Sequence, residues 1–177
     1  MIVYNPTSRK EIRFIARRVR RLVGFDTEHF FPVVDFLERA MPRLVKGFVY
    51  DVVEDEFLPG KYAQAIPEEN LVEIRQSTYE AAVDGDPRAR FTIAHEVGHL
   101  LLADEVPDGH ASYARRDRNI PLRPFEDPEW QANEFAAELL APCRLVAGMN
   151  AQGIKDDFGV SLEVARIQLG KIEGGAR

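Results

Sequence analysis

Arg90-Phe91-Thr92-Ile93-Ala94-His95-Glu96-Val97-Gly98-His99-Leu100-Leu101-Leu102 is the stretch from which the rest of the chain is read. With His95 at zero and about 100° per residue, Thr92, His95, Glu96 and His99 fall within one arc of about 100°. Phe91, Ile93, Ala94, Val97, Leu100, Leu101 and Leu102 take nearly all the remaining circumference. That distribution predicts a buried helix with one polar wedge. Buried polar groups need partners, and three ionisable ones side by side need strong partners. His95 and His99 stand one turn apart on one face, so both imidazoles can reach a single ion. Glu96 sits where a general base would take a proton from water. The plainer alternative is a pair of core histidines satisfied by protein hydrogen bonds.

A catalytic metal site of this type needs a third protein ligand. Asp127 and Pro128 open a second predicted helix that runs to about Leu140, before Pro142. The candidates on or beside it are Glu126, Glu129, Glu134 and Glu138. With Glu129 at zero, Phe135, Leu139, Ala132, Ala136 and Leu140 fall between about 240° and 380°. Glu129 lies inside this apolar stripe, whereas Glu134 and Glu138 lie about 140° and 180° away, on the expected solvent side. A carboxylate in an apolar stripe needs a positive partner, so Glu129 is the favoured third ligand. Asn133, one turn later at the stripe's border, is a candidate for orienting a ligand.

Outward from these two helices the signals are weaker. Asp84-Gly85-Asp86-Pro87 is a breaker, and Asp86 can cap the helix that Pro87 opens. Lys46 to Val53, Tyr62 to Ile66 and Leu71 to Arg75 read as strands, with turn chemistry at Pro67-Glu68-Glu69-Asn70. Leu71 to Arg75 is expected to be the sheet edge that pairs with an extended substrate. Helices are expected over Ser8 to Val23, and over Phe30 to Ala40 with a break before Met41-Pro42. Asp104 to Asp127 reads as a long loop, in which His110 and Tyr113 are candidates for stabilising an oxyanion. The tail from Arg144 reads as short helices divided at Gly153 and Gly159. The resulting fold class is α+β, with a small sheet, a metal-binding helix, a second ligand-bearing helix and a short helical tail. One domain is expected over 1–177: a helical segment 1–45, a catalytic core 46–142 and a helical tail 143–177.

Composition narrows the function further. The 177 residues carry a net charge of −6, which disfavours general nucleic-acid binding. No apolar run approaches a membrane span. The N-terminus lacks the pattern of a signal peptide, and Cys143 is the lone cysteine, so a cytoplasmic location is expected. Arg9, Lys10, Arg13, Arg17, Arg18, Arg20 and Arg21 alternate with apolar residues at helical spacing. They form either a solvated basic face or a docking face for an acidic partner.

Two stretches resemble the ImmA/IrrE family of metallopeptidases: Arg90 to His99, quoted above, and Glu129-Trp130-Gln131-Ala132-Asn133-Glu134-Phe135-Ala136-Ala137-Glu138-Leu139-Leu140-Ala141-Pro142. The likeness is specific over Tyr62 to Pro142. The family pattern places its ligand glutamate four residues before an asparagine, which here falls on Glu129. Ala141 stands where methionine is common. The resemblance implies a zincin-like core; two imidazoles and one carboxylate suit one zinc per chain, a set that manganese or iron could also enter. It implies a protein substrate, typically a helix-turn-helix repressor, in settings that include stress response and mobile elements. Other members resemble the toxin-like partner of such a regulator. The tail Phe158 to Arg166 is similar to the family's terminal helices and also to a helix-turn-helix. Its second helix sets only Arg166 and Lys171 against Glu163 and Glu173, so packing on the catalytic unit is expected rather than DNA reading.

Three function classes follow. The first is a site-specific zinc peptidase acting on a regulator, with His95, His99 and Glu129 on the metal and Glu96 as base. The second is a metal-binding interaction module or toxin-like component that sequesters, or is controlled by, a partner without cutting it. The third is a hydrolase of a non-peptide amide.

Overall fold

The computed structural model describes residues 2–105 and 123–174. His110 and Tyr113 lie outside the described residues. The architecture is α+β. Strands β2 (Val49–Val53), β3 (Ala63–Ile66) and β4 (Leu71–Arg75) form a mixed sheet in the order β2-β4-β3. β4 runs parallel to β2 and antiparallel to β3. β4 is therefore the central strand, against the expectation that it forms an edge. Its alternation, with Val72 and Ile74 fully buried, specifies a face but not its neighbours. A separate pair joins β1 (Ile2–Tyr4) to β5 (Ala103–Glu105), so the expected loop begins as a strand; Pro124–Glu126 near its other end is a 3-10 turn.

Helix α1 (Arg9–Leu22) starts in a capping box, in which Ser8 N–H donates to Glu11 Oε2 at 2.8 Å. The next helical segment does not stop before Met41-Pro42. Helix α2 (Val33–Asp35) passes through a π-helical turn, Phe36–Ala40, into α3 (Met41–Leu44). A wider turn, with Met41 N–H bonded to Phe36 O, removes the tight geometry in which a proline ring meets the preceding turn. Helix α4 (Gln76–Val83) follows β4 directly and has no counterpart in the sequence reading.

Helices α5 (Pro87–Leu102) and α6 (Pro128–Leu140) form the centre of the molecule, with the bounds their caps predict. Asp86 accepts from the N–H of Arg88 and Ala89 at 3.0 and 2.9 Å, and Asp127 accepts from Glu129 N–H at 3.0 Å. The tail continues as α7 (Cys143–Val146), α8 (Ala151–Phe158) and α9 (Leu162–Gly174). Gly153 lies inside α8, so of the two expected breaks the one at Gly159, with φ of +61°, divides two helices.

The far face of α6 overturns the expected solvent exposure of Glu134 and Glu138. Both are buried, because α1 and α9 cover them. Glu134 pairs with Arg9 at 3.1 Å and Lys171 at 3.0 Å, and Glu138 with Arg13 at 3.0 Å. The basic face of α1 has thus found an acidic partner within its own chain. Two further arginines act as buried struts. Arg20 donates to Phe25 O at 3.0 Å, Leu139 O at 2.6 Å and Glu28 O. Arg90 donates to Phe31 O at 2.8 Å, Phe158 O at 3.0 Å and Gly159 O, and stacks on Phe30. Burial pushes each guanidinium down to about 10, and the carbonyls keep each charge solvated from within.

Candidate metal centre

The polar wedge of α5 opens into a cleft of about 600 Å³ between α5, the start of α6 and β3. Helical spacing places His95 and His99 one above the other, with Nε2 atoms 3.0 Å apart. Glu129 reaches across from the first turn of α6. Its Oε2 lies 3.2 Å from His95 Nε2 and its Oε1 lies 3.3 Å from His99 Nε2. One ligand atom from each of the three residues falls within 4.8 Å of the others, so they could hold one metal ion.

Glu129 arrives there by a different route from the expected one. It is not buried in the apolar stripe: its side chain is 68% exposed. It borders the cleft because α6 approaches α5 closely one turn further on. Gly98 permits that approach. A Cβ on Gly98 would lie 3.0 Å from Phe135 Cδ1 and 3.3 Å from both Ala132 Cα and Ala132 O. Gly98 is therefore part of the site's construction, which the sequence reading missed. Its signal was a glycine inside an otherwise apolar helix, where propensity alone disfavours it.

The fit to a cation rests on the donor set. Asn133 Oδ1 lies 3.1 Å from His95 Nδ1. A carbonyl oxygen only accepts, so in this contact Nδ1 would be the donor, which leaves Nε2 as the nitrogen that could face a cation. Burial, followed by the neighbouring His95, lowers the pKa of His99 and favours its neutral, ligating form. Two imidazole nitrogens and a carboxylate converge on one point, and a divalent cation satisfies all of them. Asn133 thus stands within hydrogen-bond distance of His95, where it could orient the ring.

Glu96 points beside this cluster. Its Oε2 accepts from Ala65 N–H at 2.8 Å. Burial raises its pKa, more than the histidine and the backbone donor lower it. Ala65 belongs to β3, the strand that forms the cleft-side edge of the sheet. Arg75 N–H donates to Tyr62 O at 3.0 Å, so Tyr62 faces β4. By antiparallel alternation, the N–H and C=O groups of Ala63 and Ala65 point off the edge. Lys61, Tyr62 and Gln64 also line the cleft and were not singled out from sequence. Glu126, Glu134 and Glu138 do not line it. Cys143 lies elsewhere, and burial together with Glu138 pushes its thiol up to about 12, so it offers no nucleophile.

A family model described as the IrrE N-terminal-like domain, Peptidase_M78, matches residues 81–169. The chain belongs to this family. A comparison with curated proteins found no match. The Peptidase_M78 match takes in both helices of the metal centre and runs through α7 and α8 into α9. Membership supports a metallopeptidase-type function with a protein substrate. Among the described residues, no helix is long and apolar enough to cross a membrane.

Proposed function

We propose that the chain is a cytoplasmic zinc-dependent peptidase that cuts a cognate helix-turn-helix repressor at one site, as a single domain over 1–177. The observation that carries the reading is the convergence of His95 Nε2, His99 Nε2 and Glu129 within 3.0 to 3.3 Å, with Glu96 held beside them. Two imidazoles and one carboxylate suit zinc, one ion per chain. The ion would supply Lewis-acid polarisation to a water and to the peptide carbonyl.

The other parts of the reaction belong to the chain. Asn133 fixes the tautomer of His95 and turns Nε2 toward the shared point. The Ala65 N–H holds one oxygen of Glu96, and the other receives a proton from the attacking water. The raised proton affinity of Glu96 suits a group that takes this proton and then delivers it to the leaving amine. An extended substrate would pair with the edge of β3, not β4, through the outward N–H and C=O of Ala63 and the C=O of Ala65, since the Ala65 N–H is taken by Glu96. The choice of a repressor as substrate rests on the family resemblance.

Glu96→Gln keeps the side chain's shape and removes the base. Co-expressed with the candidate repressor, it should bind metal and repressor normally while cleavage falls at least about a hundredfold. Cleavage at the wild-type rate would falsify the mechanism. Tight binding with no cleavage by either form would replace the peptidase with an interaction module.

A further inference from the structure

Next to the metal cleft lies a second cavity of about 550 Å³ between α5, α6 and α9. It shares Tyr62, Phe91, Thr92 and Asn133 with the cleft, so the two adjoin. Beyond that threshold the wall includes Ala137 of α6 and Val164 and Ile167 of α9. Tyr62 is 68% exposed and Ile167 is 49% exposed. Single exposed apolar residues are ordinary, but several that converge on one concavity beside a reactive centre mark a binding surface.

The charges around this cavity do not call for a charged occupant. Arg88 and Lys171 are balanced by Glu134 and Glu163. Lys171 and Glu134 are each 8% exposed and bonded to one another at 3.0 Å, so that pair is satisfied within the protein. With that pair satisfied, most of the remaining wall is apolar, with Thr92 and Ser161 among its polar groups. The position is also suited to a polypeptide. Tyr62 immediately precedes β3 and lines both cavities, and alternate side chains of an extended chain along that edge point to opposite sides.

We propose that this cavity is a specificity pocket for a bulky apolar side chain of the substrate, such as leucine, isoleucine, methionine or phenylalanine, within a few residues of the bond that is cut. The inference rests on the peptidase reading and adds the substrate feature that reading lacks. It also gives α9 a role: its Val164–Ile167 face is a wall of the substrate site.

The test uses the full chain loaded with zinc and a randomised peptide library, with cut positions read by mass spectrometry. One fixed position near the cut should be enriched in bulky apolar residues. Ile167→Asp alters a half-exposed side chain, and its fold is checked by an unchanged melting temperature and metal content. For the best peptide its kcat/KM should fall at least about tenfold, the scale of a lost apolar contact, while Ile167→Leu retains the preference. Cleavage with no apolar preference, or a preference that survives in Ile167→Asp, overturns the pocket. If wild type cuts no library peptide, the peptidase reading rests on the repressor co-expression test and binding decides the pocket. Peptide hydroxamates differing only in leucine or glycine are then compared by calorimetry. Leucine favoured at least about tenfold in wild type but not in Ile167→Asp supports the pocket; equal binding overturns it.

Discussion

The two faces of α6 carry the same kind of residue to different ends. Glu134 and Glu138, on the face toward α1 and α9, are buried and matched by Arg9, Arg13 and Lys171 of the same chain. Glu129, on the face toward α5, is exposed to a cleft and faces the imidazoles of His95 and His99. A carboxylate supplied with cations by its own fold is structural. One brought against two imidazoles makes a donor set that an added cation could complete. The difference between a strut and a ligand thus lies in what the opposite helix provides, not in the depth of burial.

This contrast is open to direct attack. The largest effect expected on folding is at the structural face. Glu134→Ala leaves the buried Lys171 ammonium without its carboxylate and should cost about 3 kcal/mol, read by denaturant unfolding, with metal content unchanged. A Glu134→Ala protein of wild-type stability, or one that had lost its metal, would erase the division between the faces. Gly98→Ala tests the join between them. The added methyl meets Phe135 and Ala132, so a loss of about 1 to 2 kcal/mol is expected, together with weaker metal binding as α6 is displaced from α5. Unaltered metal affinity in a destabilised Gly98→Ala protein would detach the helix spacing from the reach of Glu129.

Much of the centre was legible in the sequence because its determinants are local. Asp86-Pro87 and Asp127-Pro128 announce the starts of α5 and α6, and the i, i+4 spacing of His95 and His99 sets their common face. The burial of Glu134 and Glu138 was misread because a helical wheel assumes one covered side, and α6 has two. A clue was present: Arg9 and Arg13 repeat at the same four-residue interval as Glu134 and Glu138 and pair with them in order. The strand order was not legible, since five-residue alternation reports faces but not neighbours. The π turn before Pro42 was also hidden, because the rule for residues preceding proline assumes an ordinary α-helical turn.

Metal analysis of purified wild type, Glu129→Ala and Glu134→Ala, each dialysed against the same weak chelator, tests the centre most directly. Wild type and Glu134→Ala should each retain about one zinc per chain, and Glu129→Ala less than about a tenth of that. Equal metal in all three proteins, or none in wild type, would contradict the assignment of His95, His99 and Glu129 as the metal site.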